Sequence, residues 1–187
     1  MKFLHRNALA TRRKHAMARG SFAPAATVLA SAAVALLIGA VGVAQASAPP
    51  TAAEGTFTQT ATTGFDLRLA GPNVIVEQTT VGSVSGTLTG SFEDSLKVVL
   101  HPTGRFSAQG TLTCECMVDG KTGVVEFVSA NTGEELNGIP TFEGRFVITG
   151  ATGELSGLVG VLEFEGEVDL ASGLSMISYS GEIHFHP

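Results

Sequence analysis

The chain has 187 residues and a formal net charge of −6, with 23 glycines, 11 phenylalanines, one tyrosine and no tryptophan. Residues 1–46 hold six basic side chains and no acidic one, so residues 47–187 carry 17 acidic against five basic side chains, a net charge of −12. This acidity excludes a nucleic-acid-binding protein, which needs basic clusters to displace counterions from phosphates. It also argues against docking on an anionic membrane surface.

The N-terminal residues have the pattern of a signal peptide. Basic residues precede an uncharged apolar run over residues 25–44, and Ala44-Gln45-Ala46 supplies small residues at the −3 and −1 positions of a cleavage site. We predict that residues 1–46 are removed on export, with Ala48 as the second choice of site, and that residues 47–53 form a short linker. The protein is then secreted or held in the cell envelope. An uncleaved anchor is the alternative, because about 20 apolar residues can span a bilayer.

The remaining chain alternates apolar and polar residues and shows no helical stripe. In chain order, the clearest alternating segments cover residues 106–118, 142–148, 158–170 and 177–185. Each has one apolar face and one polar face, which is typical of antiparallel strands with one buried side. In residues 158–170 the polar face carries an acidic stripe of Glu163, Glu165, Glu167 and Asp169. We interpret this stripe as a solvated exterior, with a weak calcium site as the alternative.

Glycines recur on the apolar face of these segments, where they permit the tight bending of a small barrel. About eight strands and no helix predict an all-β fold. We predict a single small antiparallel β-barrel over residues 54–187, since closure removes the exposed strand edges that promote aggregation.

Three segments carry a resemblance to a known group of proteins. They are VDGKTGVVEF at residues 118–127, GATGELSGLVG at residues 150–160 and SYSG at residues 178–181. In this order and spacing they resemble an uncharacterised bacterial family of β-barrels related in fold to allene oxide cyclase and dirigent proteins. The resemblance implies an eight-stranded barrel with an apolar interior. Allene oxide cyclases bind a fatty-acid epoxide and dirigent proteins steer phenoxy radical coupling. No residue of this chain is matched to their active-site acids or arginines.

Cys114 and Cys116 are the only cysteines, and both point to the apolar face of their predicted strand. Two residues of a regular strand span roughly 6.5–7 Å, so a disulfide between them requires a bulge or kink. The alternatives are two buried thiols, a distorted disulfide in an oxidising compartment, or a pair of metal ligands.

Two further side chains are candidates for ligand binding. Tyr179 lies on an apolar face, where its hydroxyl either serves as the polar group of a ligand cavity with Cys114 or Cys116, or packs in the core and hydrogen-bonds a backbone carbonyl. Glu77 is also a candidate, because residues 73–80 do not show which face is buried.

Glu182, His184 and His186 share one face of the last predicted strand and are weak candidates for metal ligands. This face lies opposite Ile183 and Phe185, so we expect it to be the outer one, and we predict no metal or cofactor. No serine occupies a nucleophile elbow, so nothing in the sequence supports a hydrolase triad.

Three functions agree with the sequence. The first is an exported barrel that binds one small apolar or lipid-like molecule, since eight strands leave room for side chains or one modest ligand. The second is a cyclase or isomerase acting on a lipid-like substrate, and the third is an interaction domain with a packed barrel. We favour the first because Cys114, Cys116 and Tyr179 are the only inward polar residues found. A buried ionisable residue at the end of a cavity would overturn that preference. The sequence does not decide between a monomer and a homo-oligomer.

Overall fold

A computed structural model of the chain describes residues 49–136 and 138–186. It contains eight strands and one 3₁₀ turn: β1 (Thr51–Ala70), β2 (Asn73–Gly86), β3 (Thr89–Leu100), β4 (Arg105–Val118), β5 (Lys121–Leu136), β6 (Ile139–Ala151), η1 (Gly153–Leu155), β7 (Leu158–Asp169) and β8 (Leu174–Phe185). The predicted signal peptide and its cleavage sites at Ala46 and Ala48 lie outside the described residues. Within the described part of the chain, no helix is long and apolar enough to cross a membrane.

Each strand pairs antiparallel with the next, and β8 pairs with β1 to close a barrel in the order β1 to β8. The predicted fold class is confirmed. Alternation explains the pairing, because apolar residues such as Leu112, Leu162 and Ile183 point inward while the intervening polar residues face solvent. The acidic stripe on β7 is exposed at all four positions, as expected for a barrel exterior.

The barrel begins earlier than predicted. β1 starts at Thr51, within the stretch predicted as a linker, and Thr51 pairs with Ile183 of β8. Ala53 is buried in the core. β1 thus includes residues 51–53 of the predicted linker, which gain ladder hydrogen bonds to β8 by closing the barrel.

One end of the barrel is filled with apolar side chains. Phe57 packs against four other rings there, at centroid distances between 5.1 and 6.4 Å. The η1 turn, which the sequence did not predict, inserts the fully buried Leu155 at this end. Gly153 precedes it with φ of +67°, a conformation that glycine adopts without steric cost. This end of the barrel is a closed core.

Candidate functional site

The other end of the barrel contains a cavity of about 470 Å³. It opens where the turns β3–β4, β5–β6 and β7–β8 meet, because an antiparallel meander brings alternate turns to one end. Its apolar wall is formed by side chains from six strands: Val76, Leu96, Val98, Leu100, Phe106, Ala108, Phe142, Phe146, Phe164, Val168 and Ile177. The interior of the barrel is thus filled with apolar side chains at one end and contains the cavity at the other.

Asp94 lies deep in this cavity. It is on β3, six residues before Leu100 at the open end, which corresponds to about 20 Å along the strand. Its side chain belongs to the inward row with Phe92 and Leu96, and only 5% of the residue is exposed. The cavity therefore ends on a carboxyl group.

Other polar atoms accompany Asp94 on the inner surface. Thr80 of β2 is directly opposite Asp94 in the strand register, and Ser129 of β5 lines the same cavity. Among the described residues, Asp94 Oδ1, Thr80 Oγ1 and Ser129 Oγ have no hydrogen-bond partner. Gln59 is also buried, and its Oε1 accepts a hydrogen bond from the Ser175 backbone N–H at 3.0 Å. Buried polar atoms without partners are uncommon and call for a functional or solvent explanation.

Burial raises the pKa of Asp94 from its ordinary value of 3.8 to about 7. Desolvation is the cause, because the apolar wall disfavours the charged carboxylate. A group with this pKa exchanges its proton near neutral pH. It can donate a hydrogen bond when protonated and accept one when ionised.

The open end carries a second set of polar groups. His101, Arg105 and Glu135 line the cavity there. His101 Nδ1 lies 3.2 Å from Asn73 Oδ1, which links the β3–β4 turn to the start of β2. A molecule entering the cavity would pass these groups before it reached the apolar wall.

The structure places the predicted cysteines in the closed half of the barrel. Cys114 and Cys116 are buried, as predicted, and a disulfide joins them with a Cα–Cα distance of 5.3 Å. This separation is shorter than that of a regular strand, as the disulfide alternative required. Both side chains belong to the apolar core, and the cavity is lined by other described residues.

Tyr179 is also buried in the closed half. Its hydroxyl accepts a hydrogen bond from the Leu88 backbone N–H at 3.0 Å, and its ring lies 5.1 Å from that of Phe57. Tyr179 is therefore packed in the core, as in the second interpretation, but its hydroxyl bonds a backbone N–H and not the carbonyl that this interpretation expected.

The carboxylate of Glu77 lies on the outer surface. Its Oε1 is 3.3 Å from Arg68 Nη2 and 3.8 Å from Lys97 Nζ. The structure thus decides which face of β2 is buried, and Val76 and Thr80 point inward instead.

The candidate metal ligands lie at the end of β8, with Glu182 exposed on the outer face. The rings of His184 and His186 are 5.5 Å apart. Among the described residues, no group of three His, Cys, Asp or Glu side chains is placed to hold a metal ion.

The expectation that the inward face lacks ionisable residues is wrong. Sequence reasoning missed Asp94, although the alternation of Phe92, Asp94 and Leu96 contains the signal. A carboxylate is costly to bury, so the residue type by itself argues for a position on the outer surface. The argument for binding without catalysis loses its basis with this residue, and the cavity does not agree with a fully packed interior.

Comparisons with known proteins add little to these observations. No family model matches the chain, and no curated protein matches it. Among solved structures, the chain is similar to a crystal structure of a protein with unknown function from the DUF3224 family of Shewanella oneidensis MR-1. The identity is 16%, the TM-score is 0.48, and the match covers 74% of this chain and 99% of that one. The chain forms a closed eight-stranded antiparallel barrel with a cavity that opens at one end of the barrel.

Proposed function

We propose that the barrel binds one small amphipathic molecule, with its apolar part along the cavity wall and its polar group at Asp94. The observation that carries the proposal is the buried carboxyl at the end of a cavity of about 470 Å³. Cavities of a few hundred Å³ lined by apolar side chains, with few convergent polar groups, are the usual form of small-molecule sites.

The unpartnered atoms support a ligand with a hydrogen-bonding group. Leaving a buried donor or acceptor unsatisfied costs roughly 1–3 kcal/mol. Asp94 and Ser129 both face the cavity, so one hydroxyl or amine of a bound molecule could satisfy atoms from two strands. An apolar molecule without such a group would leave these atoms unpaired.

The resemblance of residues 118–127 and 150–160 to a family of small β-barrels implies an apolar interior, and such an interior suits a lipid-like ligand. The predicted export segment supports a molecule met outside the cytoplasm. N-terminal sequencing of the protein isolated from its host tests that location. A mature terminus at Ser47 or Pro49 would agree with export, and an intact Met1 would contradict cleavage.

Three eight-carbon probes that differ only in their polar group test the binding proposal. Isothermal titration calorimetry with 1-octanol, octylamine and octanoate would be carried out at pH 6 and pH 8. Because Asp94 has a pKa of about 7, its ionised fraction rises about tenfold between these pH values. We expect octylamine to bind about tenfold more tightly at pH 8, octanoate to bind more weakly at pH 8, and octanol to change little.

Matched variants on one strand provide the control. Asp94→Asn should abolish the pH dependence of octylamine binding, because the amide does not ionise. Glu93→Gln removes a carboxylate from the outer face of β3 and should leave all three affinities unchanged. Absence of binding by all three probes, or equal effects of the two variants, would refute the proposal.

A second candidate function is proton-transfer catalysis, and the specific observation in its favour is that the buried Asp94 carboxyl, whose pKa burial raises, faces the cavity. A general acid or base works best with a pKa near the working pH. In an isomerisation, Asp94 would give a proton to one atom of the bound molecule and take one from another. The composition of the molecule and the protonation of Asp94 would then both be unchanged.

Incubation with a fatty-acid epoxide, followed by chromatography of the recovered lipid, tests the second candidate. Catalysis predicts an isomeric product from the parent protein and unchanged epoxide from Asp94→Asn, with Glu93→Gln behaving like the parent. Recovery of unchanged epoxide from the parent protein would contradict catalysis on this substrate class. The binding proposal is tested separately, by the calorimetry with the three eight-carbon probes.

A further inference from the structure

β1 extends beyond the point where the barrel closes. Its pairing with β8 ends at Thr58 and Met176, whereas its pairing with β2 continues to Ala70. Among the strands in the described part of the chain, residues 61–70 pair only with β2. We call residues 61–70 the free edge, because one row of their backbone N–H and C=O groups faces away from β2.

One face of the free edge is apolar and exposed. Phe65, Leu67 and Leu69 are 64%, 52% and 77% exposed. In the β1–β2 register, Leu67 is opposite Val76, whose side chain lines the cavity. The exposed apolar face is thus a continuation of the inner surface of the barrel beyond its open end. An exposed apolar edge strand is a ready site for pairing with another strand.

We propose that the occupant of this edge is a second copy of the chain. Two free edges would pair antiparallel about a two-fold axis at Leu67 and join the two barrels through a continuous sheet. The arrangement is isologous, since the same surface serves both copies. It satisfies the outward backbone groups of both edges, and the apolar faces of both copies lie on the same side of the joined sheet.

The charges of the free edge select this register. A two-fold axis perpendicular to the joined sheet pairs residues of the same parity, and only an axis at Leu67 places Asp66 opposite Arg68. An axis at Asp66 or at Arg68 places two like charges directly opposite each other, which is destabilising. An axis at Leu67 places Asp66 opposite Arg68 of the second copy twice, and places Phe65 opposite its Leu69.

Among residues 49–136 and 138–186, no cationic side chain forms an ion pair with Asp66. Asp66 lies directly opposite Glu77 in the β1–β2 register, and the ion pairs of the described residues on this surface join Glu77 to Arg68 and Lys97. Arg68 of a second copy would therefore approach a carboxylate that is now next to another carboxylate. This charge arrangement is the reason to choose a second copy over a partner of unrelated sequence.

Sedimentation velocity of the full chain and its charge-reversal variants tests the proposal. We expect a dimer at micromolar concentrations. Asp66→Arg and Arg68→Asp each replace two attractive cross-strand pairs by two repulsive ones. Because each variant loses two attractive pairs and gains two repulsive ones, it should weaken dimerisation at least about fourfold. The double variant Asp66→Arg/Arg68→Asp restores opposite charges and should restore the dimer.

A cross-link provides a second measurement. In Leu67→Cys, the two new cysteines would be directly opposite at the axis, with Cβ atoms about 4.5–5.5 Å apart, and a short bifunctional thiol cross-linker should yield a covalent dimer. Val161→Cys is the control, because Val161 is similarly exposed but lies on β7, which is paired on both sides. A monomer at all concentrations overturns the proposal. A dimer unaffected by either single reversal also overturns it, because that dimer would use another surface.

Discussion

The burial of Asp94 predicts a specific dependence of stability on pH. In the folded protein the pKa is about 7, against an ordinary value of 3.8. Below pH 3.8 the carboxyl is protonated in both states, so burial costs no ionisation energy. Between pH 3.8 and 7 the unfolded chain releases a proton that the folded chain retains, so this group makes the protein less stable as pH rises. Above pH 7 the penalty is constant.

The size of the penalty follows from the difference between the two pKa values. At 1.36 kcal/mol for each pH unit, a difference of about 3 units corresponds to about 4 kcal/mol. This is large relative to the 5–15 kcal/mol that is typical of folded domains. Asp94→Asn removes the ionisation and nearly preserves the shape, so the variant should gain about 4 kcal/mol relative to the parent between pH 4 and pH 8.

Urea unfolding followed by circular dichroism at several pH values measures this gain. The remaining acidic side chains titrate in both proteins, so the difference between the two profiles isolates Asp94. Glu93→Gln, on the outer face of the same strand, should give a profile parallel to that of the parent. Parallel profiles for the parent and Asp94→Asn would refute the reasoning and show that the carboxyl is hydrated in the folded state.

Two further predictions concern the closed half of the barrel. Tyr179→Phe removes the acceptor of the Leu88 N–H. Urea unfolding should show that the free energy of unfolding falls by about 1–3 kcal/mol, because the buried donor is left unsatisfied. An unchanged unfolding midpoint would mean that the Leu88 N–H finds another partner. Leu155→Ala should cost about 2–5 kcal/mol because Leu155 is fully buried. Leu170→Ala, at an exposed position, should change the free energy of unfolding little. Equal losses of unfolding free energy in the two leucine variants would contradict the role of Leu155 in filling the closed end of the barrel.

Much of the fold is predictable from this sequence, since alternation alone assigns the inner and outer faces. Leu162, Phe164 and Ile183 face inward where the pattern places them, and the number of strands follows from the turn signals. The buried direction of Tyr179 is likewise predictable. These features depend on local periodicity, which a single sequence records directly.

The cavity is less predictable because it depends on the relative lengths and ends of distant strands. Phe65, Leu67 and Leu69 have the pattern of buried residues, yet they are exposed because β1 extends beyond β8. Gln59 is inward at the start of an irregular register in β1, which simple alternation does not indicate. Asp94 follows the inward pattern but breaks the rule that charges face solvent, and such exceptions are expected at functional sites.

A crystal structure of the protein soaked with 8-bromo-1-octanol tests the central claim most directly. The account predicts an anomalous bromine peak toward the open end of the cavity, near Leu100 and Phe106, and the hydroxyl oxygen within hydrogen-bond distance of the Asp94 carboxyl. Bromine bound only on the outer surface, or an interior in which side chains fill the space above Asp94, would contradict it.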